Sequence, residues 1–231
     1  MRDLVSAVCG IWIGIAAPVL AEPVVVLELY TSQGCSSCPP ADDLVAILTS
    51  DPRIIALSLH VDYWDYIGWA DSFAHSAFTA RQKAYAHAIG SSTIYTPQLI
   101  IGGQDRIEGY SPEATAASLQ QHLSATPSVV LVVDRQGSVL AISAESEQPL
   151  AAPVLVQLVR YIPEEKVAIK RGENAGKTIT YHNIVTSWEV VGEWDGTSPL
   201  NLTAAFAGDG PGVVILQTNG PSAILAAARV N

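Results

Sequence analysis

The stretch TSQGCSSCPPAD, residues 31–42, contains Cys35 and Cys38 with two residues between them and two prolines directly after. It follows VVVLELY, residues 24–30, an apolar and β-branched run typical of a strand buried on both faces of a sheet. Proline suits the first turn of a helix and not its interior, so we predict that a helix begins at about Pro39. The cysteines therefore lie between a strand end and a helix start, where α/β sheets present functional residues.

Strand and helix signals alternate through the first half of the chain. We predict a strand at 54–64, helices at 71–90 and 111–123, and a hairpin that turns at Gly102-Gly103. This order predicts a layered α/β domain over residues 22–125. Beyond it, short strand-like runs divided by turn residues predict a small β-sandwich domain over residues 126–231. The predicted fold class is α/β plus all-β.

Residues 1–21 have the basic start, apolar run and small-residue end of a signal peptide, and a retained anchor is the alternative. We therefore expect a secreted, periplasmic protein without a membrane partner after cleavage. Cleavage of the signal peptide removes Cys9 and leaves Cys35 and Cys38 as the remaining cysteines. The net charge of −10 disfavours nucleic acid as a partner.

The cysteine pair allows three chemistries: redox exchange, metal binding and a structural disulfide. The helix dipole and unpaired N–H groups at a helix start stabilise a thiolate, and a second cysteine three positions later can resolve a mixed disulfide. A ring this small stabilises a fold little, and no methionine-rich stretch or histidine cluster accompanies the pair. We therefore rank redox exchange first, with Cys35 as the exposed nucleophile and Cys38 as the sheltered resolving thiol.

Polar residues on the two predicted strands are candidates for tuning these thiols. His60, Asp62 and Trp64 follow the second buried strand and should emerge at the sheet edge that carries the cysteines. They could move protons or line a groove, or form an aromatic cap with solvated acids. Glu28 interrupts the first apolar strand, either as a buried general base toward Cys38 or as an exposed residue.

The segment RGENAGKTITYHN, residues 171–183, is the main polar motif of the second half. We interpret it as a hairpin with Gly176 in the turn. The alternative is that this loop docks beside the cysteines and shapes access to them.

Thr96-Pro97 lies at the start of a strand, after a helix and a short loop. At this point the sequence resembles the thioredoxin superfamily, whose members place a cis-proline facing the cysteine pair. The resemblance implies a cis bond before Pro97 and backbone groups of Thr96 that pair with a bound peptide. LELYTSQGCSSCPPAD, HVDYWDYIGWADSF, YTPQLIIGG and RGENAGKTITYHN further resemble a family of exported bacterial proteins of unassigned function with a thioredoxin-like domain.

The function expected from this sequence is thiol–disulfide oxidoreduction on protein or small-thiol substrates, with a redox partner protein and no cofactor. A copper or other soft-metal carrier that uses Cys35, Cys38 and His60 is the rival hypothesis. A non-catalytic module whose β-domain recognises a partner is the third.

Overall fold

The structure is a computed structural model in which residues 23–230 are described, so the predicted signal peptide, residues 1–21, lies outside them. The first half contains β1 (Val25–Thr31), α1 (Pro39–Leu48), β2 (Ile54–His60), α2 (Ser76–Ala88), β3 (Gln98–Ile101), β4 (Asp105–Glu108) and α3 (Pro112–Leu123). The second half contains β5 (Val129–Gln136), β6 (Val139–Ser146), β7 (Val154–Ala168), β8 (Thr178–Trp194), β9 (Leu200–Ala205), β10 (Gly212–Thr218) and β11 (Ile224–Val230). The described chain is thus mixed α/β and rich in sheet, as the sequence predicts.

One sheet of eight strands crosses the whole molecule in the order β11-β10-β7-β8-β2-β1-β3-β4. β1 and β2 are parallel, and β8 joins β2 in parallel where Ile184 pairs with Ser58. Strands from both sides of the boundary predicted at 125/126 therefore share this sheet. All seven residues of β2 are buried, and the pairing with β8 covers an edge that would otherwise present unpaired backbone groups.

β5, β6 and β9 form a second sheet of three strands. Its inward residues Leu140 and Ile142 pack in one apolar core with Val156 of β7 and Val214 of β10. Residues after 126 therefore do form two layers of strands, as a sandwich requires. One of these layers is continuous with the sheet that contains β1 and β2.

The two faces of β1 are covered by different helices. Leu27 and Leu29 share a core with Ala41 and Val45 of α1. Val26 and Tyr30 belong to the core that includes residues of α2 on the opposite face. Because side chains alternate along a strand, Glu28 points to the α2 side and Thr31 to the α1 side.

Helix α1 begins at Pro39, as predicted, with Cys38 as its N-cap residue. The turn at residues 32–38 connects the end of β1 to α1, so the cysteines lie at the carboxyl end of β1. Over residues 23–230, no helix has the length and apolar character needed to cross a membrane.

Candidate redox site

Cys35 and Cys38 form a disulfide with an S–S distance of 2.01 Å. Both residues are 0% exposed, whereas Ser36 and Ser37 between them are exposed. The expectation of an exposed Cys35 is therefore wrong for the disulfide form. The Ser37 hydroxyl lies 3.4 Å from Cys35 Sγ and donates to it, since a disulfide sulfur has no hydrogen.

The first turn of α1 has no amide left for a thiolate. Pro39 and Pro40 have no N–H, and the N–H groups of Ala41 and Asp42 both donate to the carbonyl oxygen of Cys38, at 2.8 and 3.1 Å. The sequence argument that unpaired amides stabilise the thiolate thus fails for this helix. Only the helix dipole remains from that argument.

The loop between β7 and β8, residues 169–177, closes over the cysteine turn. The side-chain amide of Asn174 donates to the carbonyl oxygens of Gln33 at 3.0 Å and Cys35 at 2.8 Å. Lys177 Nζ donates in turn to Asn174 Oδ1 at 2.8 Å, which fixes the orientation of the amide. The predicted hairpin forms, with Gly176 at a φ of 82°, and the loop also docks beside the cysteines, as the alternative interpretation expects.

The segment after β2 holds the turn from the other side through Gln33. The backbone N–H of Gln33 donates to Asp71 Oδ2 at 2.7 Å, and its side chain accepts from Trp69 Nε1 at 2.8 Å. Gln33 Nε2 donates to the Ser72 hydroxyl at 3.1 Å. The disulfide is thus held between two loops that are far apart in sequence.

His60 lies at the end of β2, in a fully buried position. Its Nδ1 is 2.7 Å from Asp71 Oδ2, and its ring makes edge contacts with Phe73 and Tyr181 at centroid distances of 5.2 and 4.9 Å. Burial raises the pKa of Asp71, but His60 and the N–H groups of Gln33 and Phe73 outweigh it and hold that pKa below its usual value. His60 Nε2 has no hydrogen-bond partner among the described residues.

Asp42, an acid in the first turn of α1, belongs to the candidate site although it is not among the site residues predicted from the sequence. It is 2% exposed, and its Oδ1 accepts a hydrogen bond of 2.8 Å from the Thr31 hydroxyl. Burial raises its pKa well above the usual value, against the Thr31 hydrogen bond, and the charges of Asp43 and Asp71 raise it further. Asp42 follows Cys38 by one helical turn, and this spacing is the feature of the sequence that could have identified it as a neighbour of the cysteine.

Thr96 and Trp64 are in contact. Trp64 Nε1 donates to the Thr96 hydroxyl at 2.8 Å, and the peptide bond between Thr96 and Pro97 is cis. Trp64 also packs on the cysteine turn, because a Cβ added to Gly34 would lie 3.2 Å from Trp64 Cβ and from Ile67 Cδ1. Glycine thus permits this close approach, and Trp64 connects the turn to Thr96.

Asp62 and Glu28, two of the site residues predicted from the sequence, bind side chains of α2. Thr79 donates to Asp62 Oδ1 at 2.6 Å. Glu28 is neither exposed nor a free base: it is 0% exposed, and Arg81 donates to both its oxygens at 2.8 Å. Tyr30 and Tyr85 donate to the same carboxylate at 2.8 and 2.6 Å.

Several groups besides Glu28 stabilise the positive charge of the Arg81 guanidinium. It lies 3.7 Å from the ring centroid of Trp188 and donates to Gln217 at 2.9 Å. Burial lowers the pKa of Arg81, but the Glu28 charge outweighs it and raises that pKa above its usual value. This charged pair is therefore a structural element shared by α2 and the sheet.

Among residues 23–230, the histidines, cysteines and acids include no group of three or more that is placed to hold a metal ion. Cys35 and Cys38 are bonded to each other in this structure. A disulfide is in general open to attack by a thiolate, and His60, Asp42 and Asp71 are buried side chains of this region that can carry protons.

Comparison with solved structures finds the same fold in two bacterial proteins. Protein AGR_C_4864 from Agrobacterium tumefaciens is similar at 32% identity and a TM-score of 0.78, over 90% of this chain and 95% of that one. HBP35 of Porphyromonas gingivalis is similar in fold at 13% identity and a TM-score of 0.67, over 90% of this chain and 74% of that one. Comparison with curated proteins finds no match. Residues 26–217 match the family described as "Protein of unknown function (DUF1223)", and the chain belongs to that family.

Proposed function

We propose that the protein is an exported, periplasmic thiol–disulfide oxidoreductase with a thioredoxin-like core, in which Cys35 and Cys38 are the reactive pair. The observation that carries the proposal is their disulfide, at the point where β1 ends and α1 begins. This bond closes a ring with two intervening residues, which restricts the unfolded chain little. Stabilisation is therefore a weak reason for the bond, and exchange chemistry is a strong one.

The order of elements supports the thioredoxin-like core. β1, α1 and β2 form a parallel unit, and α2, the antiparallel β3–β4 hairpin and α3 follow in the order expected from the sequence. Thr96 and Pro97 immediately precede β3, which pairs directly with β1. In this core Thr96, Pro97 and Trp64 line the groove for a protein or small-thiol substrate.

Cys35 is the nucleophile of this reaction and Cys38 the resolving thiol. The Ser37 hydroxyl beside Cys35 Sγ gives a Cys35 thiolate a hydrogen-bond donor. Cys38 is the N-cap of α1. Because both cysteines are buried, a substrate or redox partner protein reaches them only after the segments packed around the turn move, and the loop at 169–177, whose Asn174 binds the Cys35 carbonyl oxygen, is one of these segments.

The test is to equilibrate the purified mature protein with mixtures of reduced and oxidised glutathione and to determine the fraction of disulfide by alkylation and mass spectrometry. Cys38→Ser and Cys35→Ser are then compared for the trapped glutathione adduct. We expect a measurable midpoint for the wild type and an adduct with Cys38→Ser only, because that variant keeps the nucleophile and lacks the resolving thiol.

Ser36→Ala is the matched control, since it changes an exposed residue of the same turn without removing sulfur. A pair that stays oxidised or reduced in every mixture, in a protein that remains folded, contradicts exchange chemistry. Stoichiometric copper(I) binding that disappears in both cysteine variants would instead support the soft-metal carrier.

A further inference from the structure

Three buried side-chain atoms have no hydrogen-bond partner among residues 23–230: Asp42 Oδ2, His60 Nε2 and Tyr181 Oη. Their residues are 2%, 0% and 1% exposed. An unpartnered buried polar atom costs about 1–3 kcal/mol, and native proteins keep few of them. Their concentration in one place therefore requires an explanation beyond folding.

The three groups belong to one cluster. The rings of His60 and Tyr181 are in edge contact at 4.9 Å between centroids. Burial raises the pKa of Tyr181, and the nearby charges of Asp42 and Asp71 raise it further. α1, β2 and β8 thus each contribute one member to this cluster, and Asp71 on the loop before α2 lies beside it, bonded to His60.

Asp42 is the member of this cluster nearest in sequence to the disulfide. Its backbone N–H donates to the carbonyl oxygen of Cys38, so the two residues are one helical turn apart, and side chains at this spacing share a helix face. Both residues are buried. The Thr31 hydroxyl donates a hydrogen bond to Asp42 Oδ1, so Oδ2 is the oxygen that can carry a proton.

Opening the disulfide creates a negative charge on sulfur that the site must accommodate. The first turn of α1 has no free N–H to receive it, and Glu28 is engaged by Arg81 on the α2 side of the sheet. We propose that Asp42 is the internal acid that protonates Cys38 when the disulfide opens, and the base that removes this proton when it closes. This inference rests on the proposed function.

In the proposed step a thiolate of the substrate attacks Cys35 Sγ and forms a new S–S bond with it. The Cys35–Cys38 bond breaks, and its electron pair goes to Cys38 Sγ. The Cys38 thiolate takes the proton of the Asp42 carboxyl, which becomes a carboxylate. Cys38 and Asp42 together carry one negative charge before and after this transfer, so the pair gains no second charge. In the reverse direction the carboxylate takes the proton from Cys38, whose thiolate attacks Cys35.

The charged and titratable neighbours of Asp42 define how this acid responds to pH. Asp43 on its own helix and Asp71 on the loop before α2 raise its pKa, and the Thr31 hydroxyl on β1 lowers it. Tyr181 from β8 and His60 from β2 complete the cluster. The acid form is present below the pKa of Asp42 and is lost as the pH rises through it.

The experiment measures the rate of reduction of the protein disulfide by dithiothreitol as a function of pH, with each rate constant divided by the dithiothreitol thiolate concentration. We expect the normalised wild-type rate to fall with rising pH through one inflection. Asp42→Asn keeps the acceptor for Thr31 but has no acidic proton, so we expect a loss of at least about tenfold at low pH and no inflection. Asp43→Asn is the control and should keep the inflection.

A second variant separates proton transfer from a structural role. Thr31→Val removes the hydrogen bond that lowers the pKa of Asp42, so the inflection should move to higher pH. An Asp42→Asn protein with the wild-type rate and inflection, or a Thr31→Val inflection that does not move, overturns the inference. A wild-type disulfide that reacts no faster than that of the urea-unfolded chain overturns the proposed function, whatever the Asp42 variants do.

Discussion

The side-chain nitrogen of Asn174 lies 2.8 Å from the carbonyl oxygen of Cys35, although 139 residues separate them in the sequence. The same nitrogen donates to the carbonyl oxygen of Gln33. One amide of the second half thus fixes the backbone on both sides of Gly34, directly before the disulfide. This contact makes the β7–β8 loop a part of the candidate site.

Asn174→Ala removes the donor from two buried carbonyl groups. We expect the free energy of unfolding to fall by about 1–3 kcal/mol, because the carbonyl oxygens of Gln33 and Cys35 lose this partner. We also expect dithiothreitol to reduce the disulfide faster, because the loop no longer holds the turn. Urea unfolding and timed alkylation measure the two effects. Glu173→Ala, at the exposed neighbouring position, should change neither, and an unchanged reduction rate in Asn174→Ala contradicts the covering role.

The local part of the site can be predicted from the sequence. The buried strand, the two prolines and the start of α1 follow from patterns within residues 24–40, because steric and hydrogen-bond rules act between near neighbours. The cis bond at Thr96-Pro97 follows from a resemblance to known proteins and is present.

The remaining contacts could not be predicted because they join distant segments. Asp42 has the sequence signature of an ordinary first-turn acid, whereas in the structure it is buried, bound to Thr31 of β1, and close enough to Tyr181 of β8 to raise the pKa of that residue. The sharing of one sheet by both halves rests on the pairing of Ser58 with Ile184, which leaves no periodic signal in either strand. Glu28 likewise acquires its role only when α2 brings Arg81 to it.

The pair of Glu28 and Arg81 should behave as one unit in unfolding experiments. Arg81→Met leaves the buried Glu28 carboxylate without its cation, and we expect a loss of about 3–5 kcal/mol. The double variant Glu28→Leu/Arg81→Met should lose less than the sum of Glu28→Leu and Arg81→Met, because neither charge is left alone. Arg53→Met, at an exposed ion pair, should cost far less, and additive losses in the double variant contradict the coupling.

Asp42→Asn should change how stability depends on pH in the oxidised protein. The pKa of Asp42 is raised in the folded state above its ordinary value of 3.8, so the folded state keeps a proton that the unfolded chain releases. The contribution of Asp42 to wild-type stability therefore falls as pH rises between these two values, by about 1.4 kcal/mol for each pH unit, and this contribution is absent in Asp42→Asn.

Urea unfolding of both proteins at several pH values measures the difference between them. This difference should be constant in acid and should then grow in favour of Asp42→Asn with rising pH. Asp43→Asn removes an exposed carboxyl of the same helix and should not reproduce the growing difference. A difference that is the same at every pH would show that Asp42 does not titrate in this way.

Tyr181→Phe should make the protein more stable and its redox chemistry slower. The buried Tyr181 hydroxyl has no partner among the residues that the structure describes, so its removal should raise the free energy of unfolding by about 1 kcal/mol, while the ring keeps its contacts with His60 and Phe73. If the hydroxyl belongs to the polar surroundings of the Asp42 proton, dithiothreitol should reduce the disulfide of the variant more slowly than that of the wild type. Tyr66→Phe, at a position 83% exposed, is the matched control and should alter neither quantity. A loss of stability in the variant would contradict the unpartnered state of this hydroxyl in the oxidised protein. A gain of stability with an unchanged reduction rate would show that the hydroxyl takes no part in the proton transfer.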